Sequence, residues 1–337
     1  MIEAGILRRI MKIAIGAVVC GVVCVAASGQ SLLVANQGNA TVSFVDPASG
    51  KQVAVLEEKT PGVHGHEIVT TADGRTAFLP IYGSTGVGKP GIDGHEMLVI
   101  DVPTHTIVGH VDFGHGVRPH EPVLDAKRNL LYVTTELDNA VTVVDAKTHK
   151  IVGKVPTGAP ESHMFVLSSD GKKGYTANVG PGSVSVLDLV GRKTIAVIPV
   201  ASGVQRIAIS KDDRWVFTSD TAKPRLAVID TKTNTVAKWV ELPGMGYGAA
   251  STPDGKSLLV CVPGKNQVAV VDLAGMKVAR TIDVPAAPQE ILIQPGAPVA
   301  YVSCIGVGKV AAIDLTHWDV AKVMDAGPGA DGLAWAK

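Results

Sequence analysis

Residues 131–171 read LYVTTELDNAVTVVDAKTHKIVGKVPTGAPESHMFVLSSDG. Four apolar, β-branched runs of strand length (LYVTT, AVTVVD, KIVGKV, HMFVLS) are separated here by Asp-Asn, Gly-Ala-Pro and Asp-Gly punctuation. That pattern predicts four short strands joined by tight turns. The unit recurs along the chain. The aspartate closing the third run returns as Asp46, Asp101, Asp145, Asp188, Asp230, Asp272 and Asp314, at intervals of 55, 44, 43, 42, 42 and 42 residues. A second landmark, eight residues before the Asp-Gly turn, returns as His66, His120, His163, Gln205, Tyr247, Gln289 and Asp331 with nearly the same spacing. Two independent landmarks therefore count seven repeats.

Seven four-stranded units predict an all-β, seven-bladed β-propeller with antiparallel blades around a central channel. The helical period that an α-solenoid would require is missing. The chain begins its repeats with SLLVAN, ATVSFVD and KQVAVLE, equivalents of second to fourth strands, and ends on GLAWAK, a lone first strand. Joining these pieces in one mixed blade closes the ring and removes its open edge.

The 337 residues carry 31 basic and 31 acidic side chains, so no basic footprint of a nucleic-acid binder is present. Residues 1–27 have the layout of an export signal: Arg8, Arg9 and Lys12, then IAIGAVVCGVVCVAA, then a small-residue cleavage site at Val25-Ala26-Ala27. The expectation is a signal peptide over 1–27, a single propeller domain over 28–337, and a periplasmic or extracellular product with no stable membrane span after processing. Cys261 and Cys304 then remain as the only cysteines, too few for a disulfide framework. The first complete blade carries about 12 extra residues, GSTGVGKPGIDGHE at 83–96, which read as a flexible lid or partner loop.

LYVTTELDNAVTVVDAKTHKIVGKVPTG resembles the YVTN-family β-propeller repeat, with Tyr132-Val133-Thr134-Thr135 at the signature. GYTANVGPGSVSVLD, SLLVCVPGKNQVAVVD and VAYVSC are weaker copies. The resemblance covers about 31–337 and implies a propeller of the YncE-like and lactonase-like superfamily. It leaves function to be argued from the site, because one fold hosts many chemistries.

In such a fold the second landmark rings the channel mouth, and three successive blades place histidine there: His66, His120 and His163. Three converging imidazoles suit one divalent ion, zinc or copper. Glu67 and Glu121 are positioned to orient a ligand or act as a base. His64, His95, Arg118, Glu161, Arg206, Tyr247, Gln289, Glu290 and Asp331 surround them as ligand-binding candidates. The same residues equally suit polar channel lining with ordered water. His105, His149 and His317 fall in turns on the opposite face. The expected function is binding of a small ligand, metal or protein partner at this mouth. The alternatives are a metal-dependent lactonase- or lyase-type enzyme and a copper or redox-handling propeller. No G-x-S-x-G, CxxCH or HExxH motif supports a serine hydrolase, c-type cytochrome or zincin.

Overall fold

The seven recurrent aspartates each end the third strand of a four-stranded sheet, from Asp46 of Thr41–Asp46 to Asp314 of Lys309–Asp314. Their carboxylates accept amide hydrogens from the turn that follows, as Asp145 does from Lys147 (2.9 Å) and Thr148 (2.7 Å). Four residues beyond each aspartate the backbone turns left-handed, and His105 (φ 55°) and His149 (φ 58°) occupy two of those positions. These histidines are turn residues, as expected. The Asx cap and the left-handed residue together reverse the chain in the space of a short turn.

The structure is a computed structural model and describes residues 29–337. The export signal assigned to 1–27 lies outside the described residues. Seven antiparallel sheets follow one another, and the blades are numbered here from the first complete one. Blade 1 runs from His64–Gly65 to Thr106–Asp112, and blade 6 from Pro288–Ile293 to Asp319–Asp325. Blade 7 is assembled from both ends: Ala330–Ala336 pairs antiparallel with Ser31–Asn36, in the register Ser31↔Ala336, Leu32↔Trp335, Leu33↔Ala334. Among the described residues the only helical pieces are two 3₁₀ turns, Glu136–Asp138 and Pro263–Lys265. No helix among them is long and apolar enough to cross a membrane.

Burial follows the strand order. Second and third strands are buried almost throughout, as in Leu130–Thr135 and Ala140–Asp145, while the outer fourth strands alternate, as in Thr106–Asp112. Apolar clusters form between neighbouring blades. One joins Leu33 and Phe44 of blade 7 to Leu79 and Leu98 of blade 1. Another seats Trp335 of the closing strand against Tyr301 of blade 6, with ring centroids 5.6 Å apart. Cys261 and Cys304 are both buried free thiols in the cluster between blades 5 and 6.

Candidate functional site

The inner strands do not pair in simple register. In blade 2, Thr135 lies opposite Pro119 and Val133 opposite Pro122, so His120 and Glu121 together face the single residue Thr134. Equivalent shifts occur in blade 3 between Ser162 and Met164, in blade 4 between Val204 and Ile207, and in blade 6 between Pro288 and Ile291. Such bulges re-aim side chains. They explain why two successive residues of a blade, such as His120 and Glu121 or Gln289 and Glu290, both come to the channel end of the strand. The repeat's threonine seals the distortion: the Glu121 amide donates to Thr134 Oγ1 (2.9 Å), which donates to His163 O of the next blade (2.8 Å). Ser303 serves the Glu290 amide in the same way (3.0 Å). Two residues before the ring position the backbone is left-handed at Arg118 (φ 49°), Glu161 (φ 54°) and Ala287 (φ 56°), an uncommon conformation for side-chain-bearing residues.

The three ring histidines come together. His120 packs on His163 with centroids 3.7 Å apart and planes tilted by 32°, and His66 meets His120 edge-on at 5.3 Å. His64 stacks on His66 at 5.0 Å. Burial, reinforced by neighbouring imidazoles, holds His66 and His120 well below the usual histidine range. His163 is also lowered by burial, against the opposing pull of Glu136. Three neutral imidazoles result, each with a lone pair to offer. His66 Nε2, His120 Nδ1 and His163 Nδ1 are buried with no hydrogen-bond partner.

Sequence reasoning missed two residues behind them. Tyr82 is fully buried, its ring 5.0–5.5 Å from all three imidazoles, and its hydroxyl donates to Glu136 Oε2 (2.5 Å). Glu136 lies 3.6 Å from His163 Nδ1 and 3.8 Å from Arg118 Nη1. Burial pushes the Glu136 carboxyl up, but the nearby His163 and the hydrogen bond from Tyr82 outweigh it and leave the group below its ordinary range. The available signal was a charged residue at the inner end of a buried strand, a place that seldom tolerates one without a partner.

Across the channel four carboxyl groups face one guanidinium. Arg206 Nη1 donates to Glu67 Oε1 (2.5 Å) and Nη2 to Asp331 Oδ1 (3.2 Å), with Tyr247 beneath at 4.8 Å. Gln37 also reaches Asp331 Oδ2 (3.0 Å), and Gln205 donates to the Tyr247 hydroxyl (2.8 Å). Burial and the nearby Glu67 push Glu121 and Glu290 well above the carboxylate range, and Asp331 to about 8. Burial would lower Arg206, but Glu67 and its neighbours raise it well above its ordinary value.

Two donor sets gather within 4.8 Å: Glu67, His120 and Glu121, and Glu67, Glu290 and Asp331. The ring nitrogens of His66, His120 and His163 do not form such a set: His120 and His163 pack at a 32° tilt, and His66 meets His120 edge-on. His95 does not join the cluster either. It is exposed and bonded to Asp112 (3.3 Å).

The 83–96 loop, expected as a flexible lid or partner loop, is tied to the start of blade 2. Arg118 donates to Asp93 Oδ1 (2.5 Å), Lys89 O (2.6 Å) and Gly86 O (3.3 Å), latching the loop over the start of blade 2. Gly94 permits the close approach, since a β-carbon there would lie 1.7 Å from Ile81 O. Glu161 lies against Gly88 at the loop's tip and accepts the Gly180 amide (2.7 Å). Loop, Arg118, Glu161, Glu136 and Leu137 line a cavity of about 450 Å³.

Glu58 supports the approach to His64 and His66. It is 1% exposed, accepts the Gly65 amide (3.0 Å), and burial raises its carboxyl to about 7. A raised folded-state value means the group contributes stability below pH 4.5 that is lost as pH rises through 7. Glu58→Gln is therefore expected to match wild type at pH 4 and to exceed it by on the order of 2–3 kcal/mol at pH 8 in urea melts. Equal stabilities at pH 8 would contradict this role.

Comparison with known proteins follows the fold. The family model for the cytochrome D1 heme domain matches residues 125–253. YncE of Salmonella typhimurium is 24% identical over 247 residues, 70% of this chain and 67% of that protein. Antigen Lp49 of Leptospira interrogans is 26% identical over 144 residues, 40% of this chain and 31% of the antigen. Among solved structures, hydrazine synthase of Kuenenia stuttgartiensis superposes with a TM-score of 0.68 at 18% identity, covering 82% of this chain and 90% of that one. The dihydro-heme d1 dehydrogenase NirN superposes with a TM-score of 0.62 at 15% identity, covering 89% and 64%. At these identities the structural likenesses establish the fold alone.

Proposed function

Taking the chain as a YncE-like seven-bladed β-propeller, we propose that it is an exported binding protein that holds a small ligand at the histidine-rich end of its channel. One observation carries this reading. Of nine buried side-chain polar atoms without a hydrogen-bond partner among the described residues, six belong to His66, His120, Glu121, His163, Arg206 and Glu290. Buried polar groups are almost always paired, so unpaired ones concentrated in one place call for a partner from outside the chain. A residue from each of several blades contributes, as a channel ligand requires.

The family match and the likeness to a heme d1 dehydrogenase raise a tetrapyrrole as the ligand. The residues do not fit one. An axial histidine must open onto a flat cavity, yet His120 is 1% exposed and His163 packs tilted against it, with centroids 3.7 Å apart. The acidic arms of a haem would also meet Glu67, Glu121, Glu290 and Asp331 with Arg206 already engaged. The donor chemistry favours a cationic or metal-bearing ligand. Hydrolysis with Glu67 as base has less support, since Arg206 occupies its Oε1.

The test is native mass spectrometry of mature protein recovered from the periplasm without chelators. A bound species is expected in wild type and in His149→Ala, which alters only an opposite-face turn, and is expected to be lost in His120→Ala. A bare polypeptide mass in all three would refute the reading.

A further inference from the structure

Resting on the channel-binding reading, we propose that the ligand is one divalent cation of the zinc class, held by Glu67, His120 and Glu121. Their donor atoms lie within 4.8 Å of one another. His120 is 1% exposed and its Nδ1 lacks any partner, and Glu121 Oε2 is buried and unpartnered beside it. These orphaned atoms are an observation separate from the acidic cluster, and they belong to the two residues that one bulge delivers together.

The second donor set, Glu67, Glu290 and Asp331, already has a cation. Arg206 spans it, one nitrogen on Glu67 and one on Asp331. Arg206 reaches Glu67 and Asp331 but neither His120 nor Glu121, whose donor atoms His120 Nδ1 and Glu121 Oε2 stay unpartnered.

One imidazole and two carboxylates form a borderline-to-hard donor set, suited to Zn²⁺ or Mn²⁺ and unsuited to Cu(I), which selects sulfur. The only described thiols, Cys261 and Cys304, lie in the apolar cluster between blades 5 and 6. In this assignment His163 is a positioning residue. Packed against His120 and near Glu136, it holds the ligating ring in orientation.

The test is calorimetric titration of chelator-stripped mature protein with Zn²⁺, and in a second series with Mn²⁺. Wild type and His149→Ala are expected to bind one equivalent. Glu121→Gln, nearly isosteric, should weaken Zn²⁺ by more than about a hundredfold, whereas His163→Ala should stay within the roughly 10–100-fold loss typical of an outer partner. Should Glu121→Gln prove unfolded by its melting curve, Glu121→Asp keeps the charge, and its shorter reach should still weaken binding. The assignment is overturned if wild type binds neither ion. It is equally overturned if His66→Ala and His163→Ala abolish binding while both Glu121 variants bind normally, which would restore a three-imidazole site. If no ion binds but a small molecule still co-purifies and is lost in His120→Ala, only the cation assignment fails. If nothing binds, the channel reading fails with it.

Discussion

Removing residues 329–337 is expected to abolish cooperative folding. That segment supplies Ala330–Ala336, the inner strand of blade 7, and its loss leaves Ser31–Asn36 as an unpaired edge inside the ring. It also removes Leu333 and Trp335 from the cluster shared with Tyr301 of blade 6. Truncating one such buried side chain to alanine costs roughly 2–5 kcal/mol. Two of them, with the strand's ladder, reach the whole stability of about 5–15 kcal/mol of an ordinary domain. Ties to blade 1 go as well, including the Thr70 hydroxyl to Trp335 O (2.6 Å) and the Gly332 amide to His66 O (2.8 Å). Thermal unfolding followed by circular dichroism should show no cooperative transition near that of the full chain. An unchanged melting temperature would contradict closure by the paired termini.

Arg206→Met is the second large effect. The substitution keeps most of the side-chain volume and removes the one cation that Glu67 and Asp331 share. Breaking a buried pair by deleting one partner costs about 3–5 kcal/mol, because the remaining charge has no compensation. Lys309→Met breaks an exposed pair with Asp325 and should cost less than about 1 kcal/mol. The sign of the pH effect follows from the carboxyls left behind. Asp331 is already raised to about 8, and without Arg206 it rises further, so acidification neutralises it. In chelator-treated protein the Arg206→Met deficit should therefore be largest at pH 8 and shrink toward pH 4. A deficit independent of pH would show a packing loss alone.

The repeat was legible because its markers are local. An aspartate that caps a turn recurs in all seven blades, and an Asp-Gly pair follows the inner strand in three of them, at 73–74, 170–171 and 254–255. The ring from His66 to Asp331 followed from that count, and so did the meeting of GLAWAK with SLLVAN. What the spacing could not express was the bulge. Two inner residues facing Thr134 is a register fact, set by where the Glu121 amide finds an acceptor, and no periodicity in one strand records it. The proposed donor set differs accordingly, with one imidazole and carboxylates in place of three imidazoles. Tyr82 and Glu136 escaped because each reads as an ordinary strand end until the neighbouring blade is in place. The 83–96 loop looked free because glycine and proline mark flexibility in a sequence, whereas the latch is a distant arginine, Arg118.

The most direct measurement is a high-resolution crystal structure of the protein isolated without chelators. The account predicts density other than water in the channel, within bonding distance of His120 and the facing carboxyl groups, with the orphaned ring nitrogen and Glu121 Oε2 turned toward it. Ordered water alone, hydrogen-bonded to His66 Nε2, His120 Nδ1 and Glu121 Oε2 and unchanged after soaking in zinc, would contradict it.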